Sequence, residues 1–310
     1  MLKFYKTVNN SIVEIEEAEA GCWISAVSPT ETEISTLQND FNIERDFIRS
    51  ALDEEESSRI ESDDGKTLIV LDYPVAEKVS DEDDVISYYT MPMSIILTEC
   101  NVITVSLKEN SIIDDFSKGV VKGIQTQYKT RFIFSLLLRI AGKYLQYLKQ
   151  IDKLSGYAEA QLQKSMKNKE LIQLLGLEKS LVYFSTSLKS TESVLEKILR
   201  GRVIKLYEED QELLEDVLIE VKQAIEMSSI YSNILSGTRD AFASVISNNM
   251  NTVMKVLTVL TIIMEVPTIV FSFYGMNVGL PLPYAWFPIA LAAVLAVIVA
   301  ILITKTKFFR

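Results

Sequence analysis

Hydrophobic spacing changes character twice along this chain. Over roughly the first 120 residues, short apolar runs alternate with turn-forming residues, the pattern of an α/β arrangement. Thr67–Tyr73 reads as a strand, and the Asp64-Gly65 pair before it reads as a tight turn. Ser94–Leu97 and Asn101–Leu107 predict a second hairpin that turns near Glu99. Glu31–Asn39 and Glu44–Leu52 read as short helices, the first started by Pro29-Thr30. From about Thr126 the apolar positions recur at helical intervals, predicting helices over Tyr128–Lys167 and Leu171–Leu199 that pair antiparallel. Between Glu208 and Tyr274, Gly237 and Pro267 are the only breaks in the helical pattern. Unbroken, that helix is on the order of 100 Å long, and its lower part forms a cytoplasmic stalk.

The second change comes near the C-terminus. Ala285 to Ile303 carries no charge over nineteen residues. As a helix it spans roughly 28 Å, close to the ~30 Å hydrocarbon core of a bilayer. An earlier apolar stretch, Val256 to Tyr274, is interrupted by Thr258, Thr261, Glu265, Thr268 and Ser272. The segment between, Gly275–Tyr284, contains Gly279, Pro281 and Pro283, which is loop chemistry. Together they predict a membrane hairpin. Lys255 precedes the first span, and Lys305, Lys307 and Arg310 follow the second, while the loop is uncharged. The positive-inside rule then places both termini in the cytoplasm of a cell-membrane protein. The expected organisation is an α/β domain over 1–125, a helical pair over 126–205, and a stalk helix continuing into the first span over 206–274. An external loop over 275–284, a second span over 285–304 and a basic tail over 305–310 complete it.

The polar residues of the first span are not scattered. Asn251, Thr258, Thr261, Glu265, Thr268 and Ser272 follow one another at intervals of 7, 3, 4, 3 and 4. Met254, Ser247, Ser244 and Asp240 extend the same face downward at steps of three and four. A period near 3.5 implies left-handed packing of helices around a shared axis. Polar groups facing lipid are costly, so this stripe faces protein or water. Two spans cannot enclose water, so an aqueous reading requires several subunits in a ring. The alternative is a dry interface in which Thr and Ser hydroxyls hydrogen-bond across helices. Glu265 favours the aqueous reading, because an intramembrane carboxylate marks a functional site by default; a protonated, structural Glu265 is the other option. Pro267 removes a backbone donor and predicts a loosening or kink near Ile263.

Composition narrows the function. The 310 residues carry a net charge of -11 and a pI of about 4.8, which argues against a nucleic-acid binder. The sequence has no histidine, which removes Ser-His-Asp and Cys-His catalysis and the commonest transition-metal ligand. Cys22 and Cys100 form no CxxC pair, so a thiolate zinc site is not expected. Two free thiols suit a reducing cytosol. The N-terminus lacks the apolar run of a signal peptide and is expected to stay in the cytoplasm. There is no Gly-rich phosphate loop, no catalytic constellation and no internal repeat, so the chain does not read as an enzyme. Acidic clusters fall at Asp53–Glu56, at Asp81–Asp84 and at Glu208-Glu209-Asp210 with Glu212, Glu215 and Asp216. Each reads as a solvated face or as a cation-attracting surface.

Tyr274-Gly275-Met276-Asn277, directly after the first of two C-terminal spans, resembles the signature of the CorA family of magnesium transporters. The run from Leu235-Ser236-Gly237 through Asp240, Ser244–Asn248 and Asn251 to Thr258 also resembles that family's stalk-to-pore segment. The resemblance is specific from about Ile230 to Asn277 and weaker over the N-terminal half. It implies a funnel-shaped homopentamer in the membrane lipid, with a central pore that conducts Mg2+ inward and Co2+ or Ni2+ less well. Gly275, Met276 and Asn277 then form the outer mouth, where the Asn277 amide oxygen holds a hydrated cation and Gly275 permits the sharp turn. Asn251 matches the family's polar ring, Met254 and Leu257 its hydrophobic constriction, and Asp240 its acidic ring at the cytoplasmic entrance.

The resemblance also implies regulation, with cytoplasmic Mg2+ bound between neighbouring domains holding the pore closed. Asp216, twenty-four residues before Asp240, matches the stalk-side sensor carboxylate, and Asp53 is a candidate partner on the α/β domain. Two departures stand out: Glu265 lies where the family pattern is apolar, and the outer loop has no acidic residue. A pore-facing Glu265 would either bind a partly dehydrated divalent ion or couple transport to protons. Alternatives are the same fold carrying another divalent ion such as Zn2+ or Co2+, or a membrane-anchored sensor or scaffold without flux.

Overall fold

The structure, a computed structural model, describes residues 1–78, 86–165, 168–201, 203–204, 206–277, 279, 284 and 286–305. The Asp81–Asp84 cluster, the loop prolines Pro281 and Pro283, and the tail residues Lys307 and Arg310 lie outside the described residues. The chain forms two compact units, Met1–Arg239 and Asp240–Arg310.

The first unit is built on a mixed seven-stranded sheet. Its strands are β1 (Leu2–Val8), β2 (Ser11–Ile15), β3 (Trp23–Val27), β4 (Arg59–Asp63), β5 (Lys66–Lys78), β6 (Ile86–Leu97) and β7 (Val102–Ser106). They lie in the order β2-β1-β3-β7-β6-β5-β4. Among the described residues only β3 and β7 pair in parallel, and β3 lies inside the sheet, buried on both faces. That explains why β3 shows no alternation for sequence reading to find. The expected Asp64-Gly65 turn is present, with φ of 45° and 75°, and it joins β4 to β5. The β1–β2 hairpin uses the same device at Asn9-Asn10, with φ of 51° and 62°. The hairpin expected near Glu99 joins β6 to β7, and the Thr98 hydroxyl closes it by accepting from the Asn101 N–H at 2.9 Å.

Two helical layers cover the sheet. On one face lie α1 (Glu31–Phe41) and α2 (Arg45–Arg49), where Leu37, Phe47 and Ile48 pack on Ile24, Ala26, Ile103 and Val105. The start signal at Thr30 is a capping box: Thr30 accepts from the Glu33 N–H, and Glu33 accepts from the Thr30 N–H. On the other face, α3 (Ser111–Ser117) and α4 (Lys129–Ser165) bring Phe116 and Phe132 against Trp23, whose indole N–H donates to Thr104 at 2.9 Å. Helix α5 (Asn168–Leu199) runs back along α4 over β5 and β6. Helices α4 and α5 lie in the same compact unit as the sheet.

Between the pair and the sheet sits a buried polar knot. The Tyr144 hydroxyl lies 2.7 Å from Ser187 Oγ and 3.2 Å from the Asp72 carbonyl. Asp72 is paired across the ladder with Pro92, which has no N–H to give. Burial holds the Asp72 carboxyl above its ordinary range, and a hydrogen bond from Ser187 opposes that shift.

Helix α6 (Glu208–Tyr274) joins this unit through an apolar stripe of Leu214, Val217, Val221 and Ala224, and through Ser228, which donates to the Leu181 carbonyl at 3.0 Å. Arg239 reaches both Glu178 carboxylate oxygens, at 3.1 and 2.9 Å. The second unit holds the rest of α6 and α7 (Trp286–Lys305).

Tyr144→Phe removes a fully buried hydroxyl from the Asp72–Ser187 knot. It is expected to cost about 1–3 kcal/mol, read as a lower thermal-unfolding midpoint of the detergent-solubilised protein. An unchanged midpoint would show that the knot does not contribute.

Candidate functional site

The second unit is the place where sequence chemistry concentrates. Helix α6 and the segment Trp286–Ile303 of α7 are both long and apolar enough to cross a membrane, with mean hydropathies of 2.1 and 2.8 in their most apolar windows. Helix α6 runs through Pro267 without interruption. Pro267 gives the Ile263 carbonyl no N–H to accept, and one residue further the Thr268 hydroxyl donates to the Met264 carbonyl at 3.1 Å. The expected loosening therefore leaves the helix unbroken.

The upper part of α6 has two faces. Val259, Ile263, Val266, Pro267 and Tyr274 are half-buried and Val270 is buried, a 3–4 spaced apolar stripe. Ala292 of α7 is buried in the same unit, and the Tyr274 and Phe287 rings lie 6.1 Å apart. At about 100° per residue, Thr258, Thr261, Thr268 and Ser272 fall within about 60° of Glu265 around the helix. The half-buried stripe falls roughly 100–180° away from it. The polar stripe thus occupies the side of α6 turned away from its own buried side, and each of its members is exposed in the single chain.

Hydrogen bonding within the stripe is specific. The hydroxyls of Thr258 and Thr261 each donate at 2.8 Å, to the carbonyls of Met254 and Leu257. With Thr268 bonded to Met264, all three threonines turn their protons inward to the helix backbone. They present acceptor lone pairs outward. The Glu265 carboxylate lies between Thr261 and Thr268 and has no hydrogen-bond partner among the described residues. Further down, Ser244 donates to the Asp240 carbonyl at 3.0 Å, and Asp240, Ser247 and Asn251 are exposed. Met254 and Leu257 are 53% and 54% exposed, apolar members of the same face.

Gly275 closes α6 by donating its N–H to Phe271 at 2.9 Å. Its φ is not in the left-handed region, so the turn does not need glycine for that reason. The requirement is space: a Cβ at Gly275 would lie 3.2 Å from the Phe271 carbonyl oxygen. Met276 and Asn277 follow in a bend, both exposed. At the loop end of the spans Tyr284 and Trp286 are 61% and 66% exposed, the Trp286 ring lies 6.1 Å from Phe287, and the Phe273 ring lies 5.7 Å from Tyr274. This is an aromatic belt suited to a membrane–water boundary, and sequence reading missed it although Tyr284-Ala285-Trp286 was its signal.

The regulatory candidates are less organised. Asp216 is exposed on α6, and Asp53 is exposed in a turn where its carboxylate accepts from the Glu55 N–H at 3.1 Å. Among the described residues no group of three or more Cys, Asp or Glu side chains within the chain is arranged to hold a metal. Glu208, Glu209 and Asp210 occupy the first turn of α6, where negative charge complements the helix dipole. Glu209 pairs with Arg131 at 2.9 Å, and burial raises the Asp210 carboxyl. That acidic cluster is helix-starting chemistry.

Gly275→Ala is expected to destabilise the hairpin by ~1–3 kcal/mol through overpacking, seen as a lower unfolding midpoint of the solubilised chain. A midpoint equal to that of the parent would mean the Phe271 carbonyl yields without cost.

Comparison with known proteins gives consistent matches. The family described as CorA-like Mg2+ transporter protein matches residues 18–305. The cobalt/magnesium transport protein CorA of Methanocaldococcus jannaschii is 28% identical over 297 residues, covering 93% of this chain and 89% of that protein. The protein of the same name from Thermotoga maritima is 22% identical, covering 99% of this chain and 88% of its own. The complete structure of the Methanocaldococcus jannaschii CorA magnesium transporter superposes with a TM-score of 0.83 at 24% identity, covering 99% of this chain and 98% of that one.

Proposed function

The chain belongs to the CorA family, and on that premise we propose that it is a homopentameric membrane transporter carrying Mg2+ into the cell. Co2+ and Ni2+ are the secondary cargo. The observation that carries this reading is the acceptor face of α6. Thr258, Thr261 and Thr268 bind their own backbone, so they offer no protons for a dry helix–helix interface. A face of oxygen acceptors in a membrane is satisfied by water and cations, and several copies of α6 around one axis enclose both. The family consists of transporters, and the chain converts no substrate chemically.

In this assembly α6 continues from a cytoplasmic stalk into the pore, and α7 faces the lipid. Lys255 and Lys305 mark the cytoplasmic side, so both termini lie inside and the 275–284 loop outside. Asn277, with Gly275 and Met276, forms the outer mouth. Its neutral amide oxygen reads the hydration shell of an ion that dehydrates reluctantly. Below the mouth, Ser272, Thr268, Glu265, Thr261 and Thr258 line the path. Leu257 and Met254 form the hydrophobic constriction that gates by dewetting, and Asn251 and Ser247 the polar stretch beneath it. Asp240 supplies a carboxylate ring that concentrates cations at the cytoplasmic end. Mg2+ is also the regulator: bound between neighbouring copies at Asp216, with Asp53 as the opposing carboxylate, it stabilises the closed state by linkage.

Mg2+ uptake into liposomes containing the purified protein tests the transport reading. Asn277→Ala is expected to reduce uptake to the level of protein-free vesicles. Failure of the parent protein to move Mg2+, Co2+ or Ni2+ at any internal Mg2+ would sink the proposal in favour of a scaffold. For regulation, Asp216→Ala should keep flux high when internal Mg2+ is raised. Inhibition as strong as in the parent would remove Asp216 from the sensor.

A further inference from the structure

We infer that Glu265 is the anchor of an all-oxygen divalent-cation site inside the membrane, formed by its carboxylates from neighbouring copies with the Thr261 and Thr268 hydroxyl oxygens a turn below and above. The inference rests on the proposed ring of α6 helices. It assigns to Glu265 a direct ion-binding role that lining the pore does not require.

Three observations carry it. Glu265 lies on the side of α6 opposite the stripe of Val259, Ile263, Val266 and Val270, so it points away from the partly buried back of the hairpin. Its carboxylate finds no donor among the described residues. Its stripe neighbours at i−4 and i+3 are threonines whose protons go to Leu257 and Met264. Within one turn of the carboxylate on either side, the polar stripe therefore offers acceptors only.

Repeating that face around an axis multiplies the problem. A second copy brings more acceptors, so the ring cannot satisfy itself by hydrogen bonding. Several carboxylates at one level in a low-dielectric span also repel one another. One divalent cation removes both deficits. Oxygen-only donors, with no thiolate or imidazole, suit a hard cation of the Mg2+ class over a soft one. Position adds a function: a carboxylate can replace one or more waters of an ion that the neutral Asn277 mouth admits still hydrated.

Carbodiimide labelling of the full-length protein in liposomes tests this without relying on transport. Dicyclohexylcarbodiimide forms an adduct with protonated carboxyls in apolar surroundings, and mass spectrometry locates it. Glu265 is expected to be labelled without divalent ions, and labelling should fall severalfold in millimolar Mg2+ but not in NaCl of equal ionic strength. Glu265→Gln, carrying no adduct in this peptide, confirms the assignment. Labelling indifferent to Mg2+, or no labelling under either condition, would overturn the site. Flux measured on the same vesicles separates the two readings. Mg2+ protection without flux leaves the site standing and removes the transporter. Flux without protection does the reverse.

Discussion

Hydrocarbon offers no hydrogen-bond partner, and most of what is distinctive in this chain follows from that constraint. A helix crossing the bilayer satisfies its own backbone, but it cannot satisfy side chains placed on its surface. Helix α6 carries Glu265 on one face of its apolar span, with threonines at both sides of it along the helix. The threonines resolve their donors locally, by bonding carbonyls four residues back. Their acceptors and the carboxylate remain. In water such a face would be unremarkable. In a membrane it has to be covered by something that donates protons or positive charge, and the rest of the proposed assembly is a way of supplying it.

The first unit is organised around its sheet. Central strands β3 and β7 are buried on both faces, with α1 and α2 on one side and α3 to α5 on the other. The long helix α6 is gripped at its lower end by Leu214, Val217, Val221 and Ala224, then by Ser228 and finally by the Arg239–Glu178 pair. One terminal guanidinium nitrogen of Arg239 holds both Glu178 oxygens, and the other donates to Ser236 Oγ at 3.1 Å, so the group is tied at more than one point. Leu214, Val217, Val221, Ala224 and Ser228 recur at steps of three and four, so one face of this lower part of α6 is buried in the first unit.

That rule of spacing is also why some of the structure was legible in the sequence and some was not. The polar stripe, both spans, the two middle helices and the Asp64-Gly65 turn all have local signals: periodicity, run length or a dipeptide with a specific backbone demand. Strand β3 was not found because a strand buried on both faces has no alternation, and Trp23 through Val27 looks the same whether strand or core helix. Expected helix Glu44–Leu52 shortened to Arg45–Arg49, since a short amphipathic run has no strong stop signal. The role of Gly275 was read as backbone freedom, and the structure places it in lack of space beside the Phe271 carbonyl. The direction of the threonine protons was beyond sequence reading altogether. A threonine in a membrane span is a donor or an acceptor to its surroundings depending on a single rotamer.

The two departures that the family resemblance led the sequence reading to expect, a carboxylate at Glu265 and a loop without acidic residues, bear on one another through dielectric. Carboxylates on an external loop sit in water, where a unit charge is attenuated to about 1 kcal/mol at 4 Å and screened further by salt. In the proposed pore, a carboxylate at the level of Glu265 acts where fewer waters compete and where every ion must pass. On that proposal, negative charge in the span rather than on the loop trades weak, long-range attraction at the mouth for strong, short-range binding within. The proposed mouth then selects by hydration through a neutral Asn277, and charge is applied after the ion has been admitted. Tight binding in a pore slows release unless a second ion displaces the first. On this reasoning the acceptor-only face around Glu265 sets both what the pore holds and how readily it lets go.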